Sequence, residues 1–288
     1  MQPIHHHIET PDLTFSLYEW GDPDGPPLLL VHATGMNARM WDETIKYLPQ
    51  DHRILTLDMR GHGGSQWRGH LLDWSIPGHD VAMIIERLDL ESLIGVGHSM
   101  GGHSMLQAAI KMPDRFERLV LIDPVIFSPD FYASASEHDG KNPADHPIAR
   151  RRNHFQNWQE MFTIFSSREP YSNWKEPVLE NYCRYGLVDN DEGSKSLACN
   201  PETEASVYMG HKSYNPLPLA SDVTMPVKIM RAKTGPKPEA GRMDFSISPT
   251  WPELASAFPN ATDLFLPELS HFIPMEAPEL TAREIMLG

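Results

Sequence analysis

The pentapeptide Gly97-His98-Ser99-Met100-Gly101 has the form G-x-S-x-G and lies between an apolar run and a helical pattern. The run Leu93–Gly97 predicts a buried strand, and Met100–Met112 predicts a helix. The two glycines allow the chain to reverse within a few residues, where neighbouring Cβ atoms would clash. Ser99 would then lie at a helix N-terminus, where free N–H groups favour developing negative charge. This setting is typical of a nucleophilic serine.

Short apolar segments alternate with amphipathic segments on both sides of the pentapeptide. The predicted strands are Leu28–Val31, Arg53–Asp58, Leu93–Gly97, Arg118–Asp123, Pro226–Arg231 and Thr262–Leu266. The predicted helices are Ala38–Leu48, Ile76–Leu88, Met100–Met112 and Pro252–Phe258. Apolar runs of this kind are typical of strands covered on both faces, and strand–helix alternation is typical of right-handed crossovers. We therefore predict an α/β fold with a mostly parallel central sheet and helices on both faces.

The alternation stops between Ile126 and Asp222, where the chain is rich in aromatic residues, arginine and proline. This segment has helical stretches but no clear buried strand. Because single cores rarely grow beyond about 250 to 300 residues, a chain of 288 residues suits one domain with an insertion. We predict an α/β core from residues 1–125 and 223–288, and an inserted helical cap from residues 126–222.

The N-terminal segment combines an alternating stretch with a histidine run. Leu13–Trp20 alternates and leads through turn-rich residues to Leu28–Val31, which predicts a hairpin that feeds a buried strand. His5, His6 and His7 are expected to lie in a flexible terminus that makes a poor metal site.

Charge and composition restrict the partners. The chain has 24 basic and 39 acidic residues, a formal charge of −15, and no long basic tract that would neutralise phosphates, which argues against nucleic acid. It has neither a secretory leader pattern nor 18 uninterrupted apolar residues, so we expect a cytoplasmic protein that does not bind membranes, as a monomer or homodimer. Cys183 and Cys199 form no CxxC pair and are expected to be buried apolar residues. No metal or cofactor is predicted.

The base that would activate Ser99 is predicted to be His271. A serine hydroxyl is a weak nucleophile and needs a base, which in turn needs a carboxylate to hold its tautomer. His271 lies in a loop directly after a predicted strand near the C-terminus. The order serine, acid, histidine along the chain is the one found at a nucleophile turn of this kind.

An oxyanion hole requires backbone N–H groups close to the nucleophile. The predicted strand Leu28–Val31 ends in His32-Ala33-Thr34-Gly35. By position, the N–H of Thr34 is expected to act together with the N–H of Met100.

Four segments together resemble the α/β-hydrolase superfamily, in its serine-nucleophile branch with a helical cap. They are residues 32–35, residues 58–65 (Asp-Met-Arg-Gly-His-Gly-Gly-Ser), residues 97–102 and the terminal His271. The resemblance extends over nearly the whole chain outside the cap, and it implies a serine hydrolase with a catalytic triad. It also implies scaffold roles for Asp58, Arg60 and His62.

The resemblance leaves two candidates for the triad acid. In most of the superfamily the acid follows the strand that here is Val227–Arg231, but the expected Gly-x-x-Asp is absent and Lys233–Met243 looks like an insertion. Asp244 is the first carboxylate beyond it. A minority of relatives place the acid after the preceding strand, which here gives Asp123. We favour Asp123 because it ends a buried strand, which holds a side chain more rigidly than a loop does.

Several further residues are expected to contact the substrate. They are Ala33 and His98 near the nucleophile, and Trp158, Phe162 and Trp174 in the cap. Arg150, Arg151 and Arg152 either solvate a cap helix, which we favour, or bind a substrate carboxylate.

The expected function is hydrolysis of a carboxylic ester of a small to medium apolar compound through an acyl-enzyme. Lactone hydrolysis and carbon–carbon bond hydrolysis are alternatives, because both use the same triad. A serine at position 99 argues against the dehalogenases and epoxide hydrolases that use an aspartate nucleophile. A protein that keeps the fold as a non-catalytic ligand receptor is the alternative from another class.

Overall fold

A continuous sheet organises the described part of the chain, which in this computed structural model comprises residues 2–67, 69–134, 142–190, 193–236 and 244–287. Within these ranges eight strands pair in the order β1-β2-β4-β3-β5-β6-β10-β11. These strands are β1 (Ile4–Glu9), β2 (Thr14–Gly21), β3 (Pro27–Val31), β4 (Arg53–Leu57), β5 (Leu93–His98), β6 (Phe116–Ile122), β10 (Val227–Ala232) and β11 (Ala261–Leu266). The pairings from β4 to β11 are all parallel. The prediction of a mostly parallel sheet is confirmed.

The predicted hairpin between the second and third strands is wrong. Strand β4 lies between β2 and β3, antiparallel to β2 and parallel to β3. Leu28, Leu29 and Leu30 are fully buried, so β3 belongs at the centre of the sheet with a parallel neighbour on each side. A local turn signal could not reveal this, because the strand that separates β2 from β3 comes later in the chain.

The sequence had suggested a flexible terminus for the histidine run, and this prediction is wrong. His5, His6 and His7 belong to β1, which pairs antiparallel with β2. The ring of His5 stacks on Tyr18, with centroids 4.5 Å apart. This strand therefore forms one edge of the sheet.

Helices cover both faces of the sheet. The described α-helices are α1 (Asp42–Ile45), α2 (Ser75–Arg87), α3 (Met100–Lys111), α4 (Pro129–Ser134), α5 (Trp158–Phe165), α6 (Glu176–Tyr185), α7 (Pro201–Gly210), α8 (Ile273–Glu276) and α9 (Pro278–Met286). Short 3₁₀ helices span Ala38–Trp41, Pro113–Arg115, Pro143–Asp145, Pro147–Arg150, Tyr171–Asn173, Leu217–Asp222 and Leu254–Ala257. None of the helices in the described ranges is both long enough and apolar enough to cross a bilayer.

Successive side chains of a strand point to opposite faces, and the buried residues accordingly form two cores. Leu29 and Val31 join α2 and α3 in the first core cluster, whereas Leu28 and Leu30 join residues of α1, α9 and the cap segment in the second. We use "cap segment" for residues 126–222. Helices on both faces were predicted, and this prediction is confirmed.

Two predicted helices are shorter than expected. Ala38–Leu48 is a 3₁₀ turn followed by the single-turn helix α1, and Pro252–Phe258 holds only the 3₁₀ turn Leu254–Ala257. Asn37 caps the first of these turns by accepting a hydrogen bond from the N–H of Arg39. Apolar spacing thus overestimated the length of both helices.

The cap segment is not exclusively helical. Among its described residues, β7 (His154–Phe155), β8 (Leu187–Asp189) and β9 (Lys195–Leu197) form a small antiparallel sheet beside α4 to α7. These strands have two or three residues each, too few for a recognisable alternation. Its buried thiols agree with the prediction: Cys183 and Cys199 are free and buried, and burial raises the pKa of Cys183 to about 12.

Candidate active site

Ser99 lies at the sharp turn between β5 and α3. Its backbone has φ 58° and ψ −118°, a conformation that non-glycine residues rarely adopt and that persists only where the surroundings enforce it. The N–H of Ser99 donates to the carbonyl of Ile122 (3.0 Å), and its own carbonyl accepts from the N–H of His103 (3.1 Å). The turn is thus tied both to β6 and to the following helix.

The glycines of the pentapeptide are required by close backbone contacts. A Cβ on Gly97 would lie 2.3 Å from the carbonyl oxygen of Gly101, and a Cβ on Gly101 would lie 2.4 Å from that of Val31. Any other residue at these positions would push α3 away from the ends of β5 and β3. The glycines therefore set the distance between the serine turn and the loop that follows β3.

His271 connects Ser99 to a carboxylate. Its Nε2 lies 3.0 Å from Ser99 Oγ, and its Nδ1 lies 2.7 Å from Asp123 Oδ2. The backbone of His271 is held as well, because its N–H donates to the carbonyl of Phe245 (3.2 Å) and its carbonyl lies 2.8 Å from Nε2 of His98. Burial and the nearby His271 lower the pKa of His98 well below its usual value, so His98 is neutral and donates this bond.

Asp123 follows directly after β6 and is fully buried, with φ 42°. Its Oδ1 accepts hydrogen bonds from the N–H of Ala232 (3.0 Å) and from Ser248 Oγ (2.5 Å), which leaves Oδ2 for His271. Thr250 Oγ1 lies at 3.4 Å from Oδ1 and donates a shorter bond, 2.7 Å, to the carbonyl of Pro124. A buried carboxylate with these donors is suited to hold a histidine tautomer.

The structure places Asp244 elsewhere. Its side chain is exposed and accepts a hydrogen bond from the N–H of Ser246 (2.9 Å), and bonds from Ser246 lower its pKa. Of the two candidate acids, it is Asp123 that meets His271. Part of the predicted insertion Lys233–Met243, residues 237–243, lies outside the described residues.

The predicted oxyanion loop, residues 32–35, is held from below by two buried histidines. The N–H of Gly35 donates to His62 Nε2 (2.9 Å), and His32 Nε2 accepts from the N–H of Met59 (3.0 Å). Within the described ranges, the bonds that hold this loop use the N–H groups of Gly35 and Met36 and not that of Thr34. Met100 is the first residue of α3, so its N–H has no partner inside the helix.

The contacts of Asp58, Arg60 and His62 agree with the scaffold roles that the resemblance implied. Asp58 accepts from the N–H groups of Ala38 (2.6 Å) and Gly64 (2.8 Å), and burial raises its pKa to about 6. Arg60 forms a two-bond ion pair with Asp80, at 2.7 and 2.8 Å. Among the described residues no group of three His, Cys, Asp or Glu side chains is arranged to hold a metal ion.

The residues predicted to contact the substrate occupy different places. Ala33 is in the oxyanion loop, and His98 is fully buried behind His271. Trp174 packs on Phe272, the residue after His271, with ring centroids 5.1 Å apart. Trp158 lies under the guanidinium of Arg184 (4.3 Å), and Phe162 packs against the second core cluster. A substrate contact by any of these five residues stays a prediction.

Sequence reasoning missed several residues around Ser99, His271 and Asp123. Phe245 lies over His271, with ring centroids 6.2 Å apart and an interplanar angle of 23°. Ser248 and Thr250 support Asp123. Their spacing of two residues was the available signal, because hydroxyls two positions apart in an extended chain face the same side.

The protein-family model described as alpha/beta hydrolase fold matches residues 26–217, more than half of the chain. The chain therefore belongs to the α/β-hydrolase fold family.

Two relatives and one solved structure illustrate what the chain is similar to. A bifunctional esterase/perhydrolase of Acinetobacter calcoaceticus is 27% identical over 179 residues, which cover 59% of this chain and 63% of the relative. A 3-oxoadipate enol-lactonase of Acinetobacter baylyi is 28% identical over 122 residues, 41% of this chain and 46% of the relative. The alignments thus span less than two thirds of each relative.

The crystal structure of E-2-(acetamidomethylene)succinate hydrolase superposes with a TM-score of 0.74 over 99% of this chain and 98% of that one, at 21% identity, and so shares the fold.

Replacing Asp123 by Asn is expected to lower kcat by about 10⁴-fold, as the corresponding change does in a serine protease. The amide would leave His271 in the wrong tautomer while it keeps the size of the side chain. Asp244→Asn is the matched control, because Asp244 is exposed and, among the described residues, is bonded by Ser246 of its own turn; its kcat is expected to stay near that of the wild type. The measurement is steady-state turnover of a p-nitrophenyl ester. A larger loss of kcat in Asp244→Asn than in Asp123→Asn would contradict the assignment of Asp123 as the acid.

Acidification is expected to destabilise the fold through buried imidazoles such as that of His62. Burial lowers the pKa of His62 from 6.5 to about 4 in the folded protein. Between these pH values the unfolded chain binds a proton that the folded chain excludes. The contribution of His62 to the free energy of unfolding is therefore fully present above pH 6.5, and it decreases as the pH drops from 6.5 towards 4. One such residue contributes on the order of 1 kcal/mol per pH unit in this window.

Urea unfolding at several pH values between about 7 and 5 measures this slope. In His62→Asn we expect the free energy of unfolding to change less steeply with pH, by the equivalent of about one bound proton, because the titrating group is gone. The same substitution at the exposed His79 controls for the change of residue type. Equal slopes in the wild type and His62→Asn would show that His62 does not carry the effect.

Proposed function

We propose that this protein is a serine hydrolase that cleaves a carboxylic ester through an acyl-enzyme. The observation that carries the proposal is the buried chain of hydrogen bonds from Ser99 Oγ through His271 to Asp123, at 3.0 and 2.7 Å. Both bonds are within the range expected of a nucleophile, its base and the carboxylate that orients the base. Membership of a family whose relatives include an esterase and an enol-lactonase supports the same reaction class.

The geometry suits acylation as follows. Ser99 Oγ attacks the ester carbonyl carbon while His271 Nε2 takes the hydroxyl proton, and Asp123 stays ionised and stabilises the imidazolium. The carbonyl oxygen becomes an oxyanion that accepts hydrogen bonds from the N–H groups of Thr34 and Met100, worth about 3 to 4 kcal/mol per donor in studied enzymes. The tetrahedral intermediate collapses, and His271 returns the proton to the leaving alcohol.

Deacylation repeats the same steps with water. His271 takes a proton from the water as it attacks the acyl carbon, and Ser99 leaves with the proton that His271 returns. In a lactone the leaving alcohol stays tethered to the acyl group, and nothing else in the sequence of steps changes. A lactone is therefore the second substrate class to test.

Removing the nucleophile gives the direct activity test. Ser99→Ala is expected to reduce turnover of p-nitrophenyl acetate and butyrate by at least about 10³-fold, because the acyl-enzyme cannot form. Ser256→Ala removes an exposed serine hydroxyl outside the site and is expected to retain wild-type kcat/KM. A panel of short esters and lactones ranks the two substrate classes by kcat/KM.

The absence of Ser99-dependent turnover on every ester and lactone of this panel would contradict the proposal. It would favour a ligand receptor that keeps the fold without catalysis.

A further inference from the structure

The cap segment contains a buried ion pair, between Arg151 and Glu204. Arg151 follows the 3₁₀ turn Pro147–Arg150 and donates through Nη1 to Glu204 Oε2 (2.7 Å). Its Nη2 donates to the hydroxyl of Tyr182 at 3.3 Å. The side chain of Glu204, on α7, is 4% exposed, and that of Arg151 is 18% exposed. Glu204 is the more deeply buried partner, so loss of Arg151 would leave a buried charge uncompensated, whereas Arg151 keeps some contact with solvent.

The other carboxylate oxygen of Glu204 lies against the oxyanion loop. A Cβ on Gly35 would be 2.5 Å from Glu204 Oε1 and 3.0 Å from Cδ, so the carboxylate occupies the space directly above the Gly35 backbone. Gly35 has φ +76°, a conformation that glycine adopts without strain. Its N–H donates to His62 Nε2 (2.9 Å). The residue after Thr34 is thus confined between a scaffold histidine and a cap carboxylate.

We propose that Glu204 is a positioning residue that holds the oxyanion loop in place, and that Arg151 neutralises its charge there. The inference rests on the proposed function, because the loop it concerns carries Thr34, one of the two proposed oxyanion donors. Without Arg151, the carboxylate would stand as an unpaired negative charge against Gly35, the residue that follows the proposed donor Thr34. An oxyanion bound to Thr34 would be repelled by that charge, because like charges repel more strongly in the protein interior than in water.

Charge neutralisation predicts a specific pattern among four variants. Glu204→Ala opens the space above Gly35 and is expected to lower kcat about 10-fold to 100-fold, less than the loss of an oxyanion donor itself. Glu204→Gln keeps the size without the charge and is expected to stay within about threefold of the wild type. Arg151→Met leaves the carboxylate unpaired and is expected to lower kcat about 10-fold to 100-fold. The double variant Arg151→Met/Glu204→Gln is expected to regain most of that loss.

Arg152→Met is the matched control. Arg152 forms an ion pair with Glu160 in the same cap segment, but at an exposed position. An exposed pair contributes little, so kcat is expected to remain that of the wild type. Equal losses in Arg151→Met and Arg152→Met would overturn the inference.

A second measurement separates positioning of the oxyanion loop from a general loss of structure. Each variant is assayed with an ester and with its thionoester, in which sulfur replaces the carbonyl oxygen. A displaced loop is expected to slow the ester more than the thionoester, because sulfur is the weaker hydrogen-bond acceptor and gains less from the donors. KM is expected to change less than kcat.

The outcomes distinguish the two proposals. Turnover that depends on Ser99 leaves the hydrolase proposal standing. The positioning role is then wrong if Glu204→Ala slows both substrates equally, or if the double variant loses as much as the product of its single variants. If no turnover depends on Ser99, both proposals fail. If Arg151→Met does not fold, the test rests on the ratio of ester turnover to thionoester turnover in Glu204→Ala and in Glu204→Gln. A lower ratio in Glu204→Ala supports the inference, and equal ratios overturn it.

Discussion

A carboxylate without access to water is stable only if hydrogen bonds replace its hydration, and Asp123 is such a group. The donors come from three separate parts of the chain: the N–H of Ala232 at the end of β10, the hydroxyl of Ser248, and the ring of His271 after β11. Their arrangement requires β6 and β10 to be neighbours and parallel, which they are. The site thus depends on the sheet order, and the burial of Asp123 in turn fixes the loops that follow two strands.

The serine turn adds a second constraint at the same edge of the sheet. Strands β3, β5, β6 and β10 are parallel, so their carboxyl ends lie together. Gly101 allows α3 to approach the end of β3 within a distance that no side chain permits. The backbone N–H of Met100 and the loop from His32 to Gly35 are thereby brought to the same edge as Ser99. Rigid elements hold Ser99, and loops supply the groups around it.

Much of this could be predicted from the sequence because the signals are local. Continuous apolar runs identified the buried strands of the parallel sheet, and the pentapeptide around Ser99 identified the turn between β5 and α3. The order of the strands was less accessible: the predicted hairpin failed because β4, later in the chain, lies between β2 and β3. The choice between Asp123 and Asp244 had the same difficulty, since it depends on which loop reaches His271 in space. The small sheet of the cap segment and the contact of Glu204 with Gly35 had no local signal.

Ser99 is proposed to be a nucleophile activated by His271 and Asp123. A fluorophosphonate is attacked by such a serine and stays bound to it, and mass spectrometry of the intact protein followed by peptide mapping locates the adduct. The structure predicts one equivalent of phosphonate on the peptide that contains Ser99, and none on Ser99→Ala. An unmodified protein, or an adduct on a different residue, would contradict the account.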